Sequence, residues 1–275
     1  MLRRAALTAL LLSAMLGVSG CSATRAVVAH FQSPSGFVPL AADPRVVYEP
    51  GAESFAREVA PFLPQAIADV EAGQYRPFAR PVVVHVCATE TCFTRFTGAS
   101  AEAKGSVHGT QGLFLNPTLL RQPERMRAIL THELSHLHLA GYVRLWTLPA
   151  WFNEGLAAHV SGGGGAEHVS EAEAAKAIAA GIVLEPTDSR SWLINDATGP
   201  FRKSGMPEAA HMFYRQSMMF IAYLKQRDPK AFRAMLRDIE DGTGFGQAFS
   251  SAYHAAVKAV WADFAGRFSA QAAAS

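Results

Sequence analysis

Between residues 122 and 160 the chain carries two apolar rhythms of helical period, separated by a short break. Gln122–Ala140 places Met126, Ile129, Leu130, Leu134 and Leu137 at helical spacing, with Pro123 suited to a first turn and Gly141 to a C-terminal cap. Ala150–Val160 repeats the period behind Pro149 and runs into the glycines Gly162–Gly165. Ahead of them, Val82–Val86 and Gly112–Leu115 are short apolar, β-prone runs that read as strands. Ser54–Ala72 is a helix that Pro61 and Pro64 kink or split. Glu171–Ala180, Glu208–Gln226, Lys230–Ile239 and Ala256–Phe268 complete a mostly helical second half. Gly181–Pro207 reads as an irregular excursion that could border a cleft. These elements predict an α+β fold, mostly helical, with a small sheet ahead of the 122–140 helix.

The polar residues set into the two rhythms carry the chemistry. His132-Glu-Leu-Ser-His136 puts two imidazoles four apart on one helical face, so their ring nitrogens can meet at one metal ion. Glu133, one step round, can reach a water at the remaining position, as a general base. Zinc takes four ligands in a tetrahedron, and a catalytic site leaves one to water, so one protein ligand remains to be found. Glu154 in Trp151-Phe-Asn-Glu-Gly-Leu-Ala157 is the expected third. Trp151, Phe152, Leu156 and Val160 make its helix apolar, and a carboxylate buried there needs a partner. Asn153 and its neighbours are expected to orient ligands. His138 and His159 fall off the ligand faces, and His85, His108, His168 and His254 lack ligand spacing. Each is expected to be a surface or hydrogen-bonded histidine.

The two motifs together resemble those of the gluzincin metallopeptidases, or peptidase MA-like domains, and the aminopeptidase-N-like branch in particular carries a similar Trp-x-x-Glu-Gly-x-Ala segment. The resemblance covers about Gly112–Val160. It implies a gluzincin-type fold, one zinc ion per chain bound by His132, His136 and Glu154, Glu133 as general base, and a peptide or protein as substrate. It also implies that Tyr214, resembling a tyrosine that opens a later helix in that branch, donates to the tetrahedral oxyanion; His211, one turn away, is the alternative. A metzincin would need glycine at 139 and histidine at 142, where this chain has Leu139 and Tyr142. One element departs from the branch. Its Gly-x-Met-Glu-Asn stretch, whose acid holds a substrate amino terminus, corresponds here to Gly112-Leu-Phe-Leu-Asn-Pro117, without an acid. That favours an endopeptidase, with Gly112–Leu115 as an edge strand for extended peptide.

The amino terminus suggests a compartment. Arg3 and Arg4 precede Ala5–Leu16, too short to span a bilayer and of signal-peptide length. Val18-Ser-Gly-Cys21 resembles a bacterial lipobox, which implies cleavage before Cys21, acylation of that cysteine and attachment to a membrane. Ser22 resembles an outer-membrane sorting signal, so the expected place is the cell envelope, facing the periplasm. The expected organisation is a signal peptide at 1–20, a tether at 21–45, and one domain at 46–275. Cys87 and Cys92 are then left to pair as a disulfide in an oxidising compartment. Without Arg3 and Arg4 the chain holds 23 basic and 23 acidic residues, and no basic block suggests nucleic acid. Two other functions fit the same motifs: a non-catalytic envelope binding module built on the fold, and a cell-wall amidohydrolase.

Overall fold

The computed structural model describes residue 29 and residues 32–108, 112–188, 198–206 and 208–274. The signal-like segment, Cys21 and the first part of the tether lie outside the described residues. The sheet has five strands: β1 (Val38–Leu40), β2 (Asp43–Tyr48), β3 (Val84–Val86), β4 (Gly105–His108) and β5 (Gly112–Leu115), in the order β1-β2-β3-β5-β4. Strands β2, β3 and β5 run parallel, and the outer strands β1 and β4 pair antiparallel to their neighbours. Parallel neighbours need crossovers. The first is made by α1 (Glu53–Val59), a 3-10 turn at Ala60–Phe62 and α2 (Leu63–Gln74). The second contains α3 (Glu90–Thr97) and β4. Pro61 and Pro64 thus split the first helical stretch, each within the opening turn of a new segment, where its missing N–H costs least.

After the sheet come α4 (Met126–Ala140), α5 (Ala150–Val160), α6 (Glu171–Ala179), α7 (Gly199–Lys203), α8 (Ala209–Arg227), α9 (Pro229–Glu240), α10 (Phe245–Tyr253) and α11 (Val257–Ala274). They divide the interior into two main cores. Met126, Ile129, Leu130 and Leu134 of α4 join α1, α2 and the sheet. Trp151, Phe152 and Leu156 of α5 join the C-terminal helices through Phe213, Phe220, Phe249 and Trp261. The polar faces of α4 and α5 meet on the seam between these cores. A third, smaller cluster packs Phe93, Phe96 and Phe114 around Cys87 and Cys92, whose sulfurs lie 2.11 Å apart as a disulfide.

Three expectations are corrected. The folded domain begins before residue 46: β1 and the first half of β2 precede it, and Leu40 and Val46 are buried in the sheet core. Gly112–Leu115 is an interior strand, because β4 covers its outer side, so the edge belongs to Gly105–His108. The described part of Gly181–Pro207 does not border the metal cleft. Gln216 on α8 fixes it elsewhere, accepting from Leu184 N at 2.7 Å and donating to Ile182 O at 2.9 Å. Trp151 Nε1 donates to Thr187 O.

Candidate metal centre

Helix α4 brings His132 and His136 to one side, and α5 crosses it with Glu154 facing them. The two Nε2 atoms are 3.0 Å apart, and Glu154 Oε2 is 3.2 Å from His132 Nε2 and 3.3 Å from His136 Nε2. All three side chains are buried. A tetrahedral ion with bonds of about 2.05 Å separates its ligand atoms by about 3.3 Å. This triangle therefore has the size of one face of such a tetrahedron, and the group could hold a metal ion.

The outward nitrogens of both rings are held as ligand histidines require. His136 Nδ1 meets Asn153 Oδ1 at 3.0 Å, one position before Glu154 in the same motif. His132 Nδ1 donates to the carbonyl of Gly164 at 2.8 Å. The glycine run after α5 exists for that approach. Gly163 and Gly165 have φ of +111° and +87°, and a Cβ on Gly164 would stand 2.7 Å from Ala128 O. The backbone acceptor on His132 has no sequence signature beyond these glycines.

Glu133 lies beside the histidines in the same cavity, with its side chain against β4. A Cβ on Gly105 would fall 2.5 Å from its Cγ, so only glycine lets the strand pass this close. Burial raises the Glu133 carboxyl above its ordinary range, with His136 and His132 pulling the other way. Burial also works against charge on Glu154, but the two imidazoles hold it below the usual carboxylate range. His136 shows the reciprocal effect: despite burial, Glu154 and Glu133 push it up to about 9. The pocket is built to keep positive charge beside Glu154, and a divalent ion would take over from the proton.

Tyr214, the sixth residue of α8 rather than its opening one, lies edge-on to His132 with ring centroids 5.9 Å apart. Burial lifts its hydroxyl well above 10, with Glu154, Glu133 and Glu167 acting in the same direction, so it stays a neutral donor. His132, Glu133, His136, Glu154, Tyr214 and His211 all line one cavity of about 500 Å³. Strand β4 forms its wall at Gly105, Ser106 and Val107. Asn116 N donates to Lys104 O, and Leu113 N donates away from β4 to Val83 O. Antiparallel alternation then bonds Ser106 and His108 to β5 and turns the N–H and C=O of Gly105 and Val107 outward.

Two of the histidines set aside from sequence, His138 and His85, sit as plain structural groups. His138 Nε2 meets Arg76 O at 3.0 Å. His85 stacks on Phe114 with centroids 4.3 Å apart. His168 differs, standing beside His211 and Glu208.

These features define a buried two-histidine, one-glutamate group with a carboxylate and a phenol beside it. Among known proteins, no family model, no curated protein and no solved structure matches the chain. Any family assignment therefore rests on the resemblance of the two motifs.

Proposed function

We propose that this protein is a zinc-dependent peptidase of the bacterial cell envelope, of gluzincin type and acting as an endopeptidase. The observation that carries the proposal is the 3.0–3.3 Å triangle of His132, His136 and Glu154 with Glu133 on its flank. Two imidazoles and a carboxylate are a donor set suited to zinc. Zinc held there would supply Lewis acidity, polarising the scissile carbonyl and acidifying the attacking water. Glu133 takes the proton of that water and delivers it to the leaving amine, and its raised affinity for a proton suits the second half of that task. The Tyr214 hydroxyl donates to the oxyanion as it forms. The outward backbone groups of Gly105 and Val107 offer an extended substrate two rungs of a ladder alongside Glu133. Strand β4 carries no carboxylate to capture an amino terminus, which favours internal cleavage.

Export is supported by the Cys87–Cys92 disulfide, since such bonds persist in oxidising compartments. Anchoring at Cys21 follows from the lipobox resemblance. The test combines zinc content with peptide-library cleavage by the wild type and Glu133→Gln. One zinc per chain in both, with cleavage by the wild type alone, is expected. Equal cleavage by both proteins, or no retained zinc, refutes the proposal.

A further inference from the structure

A second cluster of metal-ligating side chains stands at the rim of the same cavity. His168 Nδ1 and His211 Nε2 face one carboxylate oxygen, Glu208 Oε2, at 3.6 and 3.8 Å. The three donor atoms lie within 4.8 Å of one another. Glu208 and His211 are three apart at the start of α8, so they share a face. His168 comes from the loop after α5, and its ring lies over that of His211, centroids 4.2 Å apart and planes 22° from parallel.

Two features show that this cluster is held in place. Arg215, on the next turn of α8, donates to Val169 O at 2.6 Å and to Ala166 O at 3.1 Å. It clamps the loop on both sides of His168. On its far side, His211 Nδ1 faces Glu167 Oε2 at 3.8 Å, and Glu167 is itself gripped by Arg125 through two contacts of 3.1 Å. At that distance Glu167 does not hydrogen-bond to the buried Nδ1, and an approach of about half an ångström would let it orient the ring for a metal. Glu208 supplies the one carboxylate among the three donors, while Glu167 is neutralised by Arg125.

We infer that His168, Glu208 and His211 form a second site for a borderline divalent ion, of the zinc, nickel or copper class that imidazole with carboxylate selects. Closing the donors to about 3.3 Å requires shifts of about half an ångström in the N–O separations and a rotation of the His168 ring out of its stack on His211, so that both lone pairs meet; His168 and Glu208 are exposed enough to move. The ion would tie the loop that carries Gly164, the acceptor for His132, to the helix that carries Tyr214. Its affinity is lower than that of the buried group, since it is open to water and two of its donors are half-exposed. This site does not depend on any peptidase activity.

The test is equilibrium dialysis of the full chain against rising zinc, with bound metal counted by elemental analysis and thermal stability followed in parallel. The wild type should take two equivalents, one resisting mild chelation and one removed by it. His168→Ala and Glu208→Gln, both at exposed positions, should each stop at one, and zinc beyond the first equivalent should no longer raise their Tm. His132→Ala should lose the resistant equivalent and keep the weaker one, so failure of the buried site is read separately. A wild type without a chelator-labile equivalent, a His168→Ala chain that still takes two, or a His132→Ala chain that binds none overturns the inference.

Discussion

Gly155, the residue after Glu154, lies where α5 meets α8, and its replacement tests whether the metal centre depends on that close approach. A Cβ built there would stand 2.8 Å from both the carbonyl carbon and the oxygen of Ser217, and 2.9 Å from its Cβ. Two of these are backbone atoms, which no side-chain rotation can move. In an open helix, glycine to alanine gains up to about 1 kcal/mol. Here the helices must separate, and overpacking of a filled interior costs about 1–3 kcal/mol. Gly155→Ala should therefore destabilise the protein by about 2 kcal/mol, with a Tm lower by about 5 °C for a domain of this size. Gly266, exposed on the outer face of α11, meets nothing within 4 Å of such a Cβ. Gly266→Ala should raise Tm by about 2 °C. Differential scanning calorimetry of the two variants measures both signs. Zinc retention by Gly155→Ala should also fall, because the displaced helix carries Glu154. A Gly155→Ala protein as stable as the wild type would show that the two helices do not need this contact, and the account of the motif glycine would be wrong.

Glu133→Gln should keep its zinc and lose nearly all turnover, while Tyr214→Phe should lower kcat roughly 10²-fold with little change in KM; a kcat within about twofold would return Tyr214 to a packing role. Glu154→Ala should give up zinc under mild chelation, and retention equal to the wild type would place the third ligand elsewhere. Gly105→Ala, which touches no ligand, should displace Glu133 and reduce kcat by at least about tenfold at full zinc occupancy, since misplacing a reacting group by an ångström can cost 10²-fold. His85 is held down to about 4 by burial, partly offset by a hydrogen bond with the Leu113 backbone. Its folded value lies below its unfolded one, so stability is full above about pH 6.5 and falls as pH drops toward 4, by about 2 kcal/mol at pH 5. His85→Phe should keep the stack on Phe114 and flatten part of that slope in urea titrations. His159, also near 4, should supply another part, and a His85→Phe slope as steep as the wild type's would exclude His85 as a source.

The elements that read correctly from sequence are those whose period and punctuation agree. Helix α4 has five apolar residues on one face and a proline in the turn before it, and both prolines of the 54–72 stretch fall in opening turns. Strands β1 and β2 carry a proline each and pair across only a few residues, so neither shows a strand pattern on its own. Strand β2 forms on the edge that β3 offers and β1 on the edge of β2, and pairing overrides weak propensity. Strand β4, Gly-Ser-Val-His, has one large apolar residue, and nothing local marks it as the sheet's edge. Helix α3 is rich in threonine and gives a poor helical signal. Its start is set by Thr89, whose hydroxyl accepts from Cys92 N, and by the disulfide beside that turn. Gly141 caps α4 for a reason other than the one its position suggests: its φ is −69°, and its small size admits Ala79.

The metal centre divides along the same physical line. Residues four apart on one helix, and a carboxylate in an apolar helix, declare themselves because spacing and burial are properties of a short segment. The groups that orient them do not. Asn153 could be suspected because it adjoins Glu154. The Gly164 carbonyl could not, since every residue has a carbonyl, and what selects this one is a glycine loop shaped against Ala128 and Tyr214. His168 has no ligand at helical spacing, yet the fold brings it to Glu208 and His211, about forty residues away. Spacing rules register only ligands that share a helix turn. A site assembled from a loop and the start of a distant helix leaves no periodic trace, so its histidines look ordinary until Arg215 is seen holding the loop in place. The glycine run has two tasks in this arrangement. It brings a carbonyl to His132 on one side and leads to His168 on the other. A lengthening of that loop by one residue should therefore disturb both metal groups together, whereas changes at Glu208 should reach only the outer one.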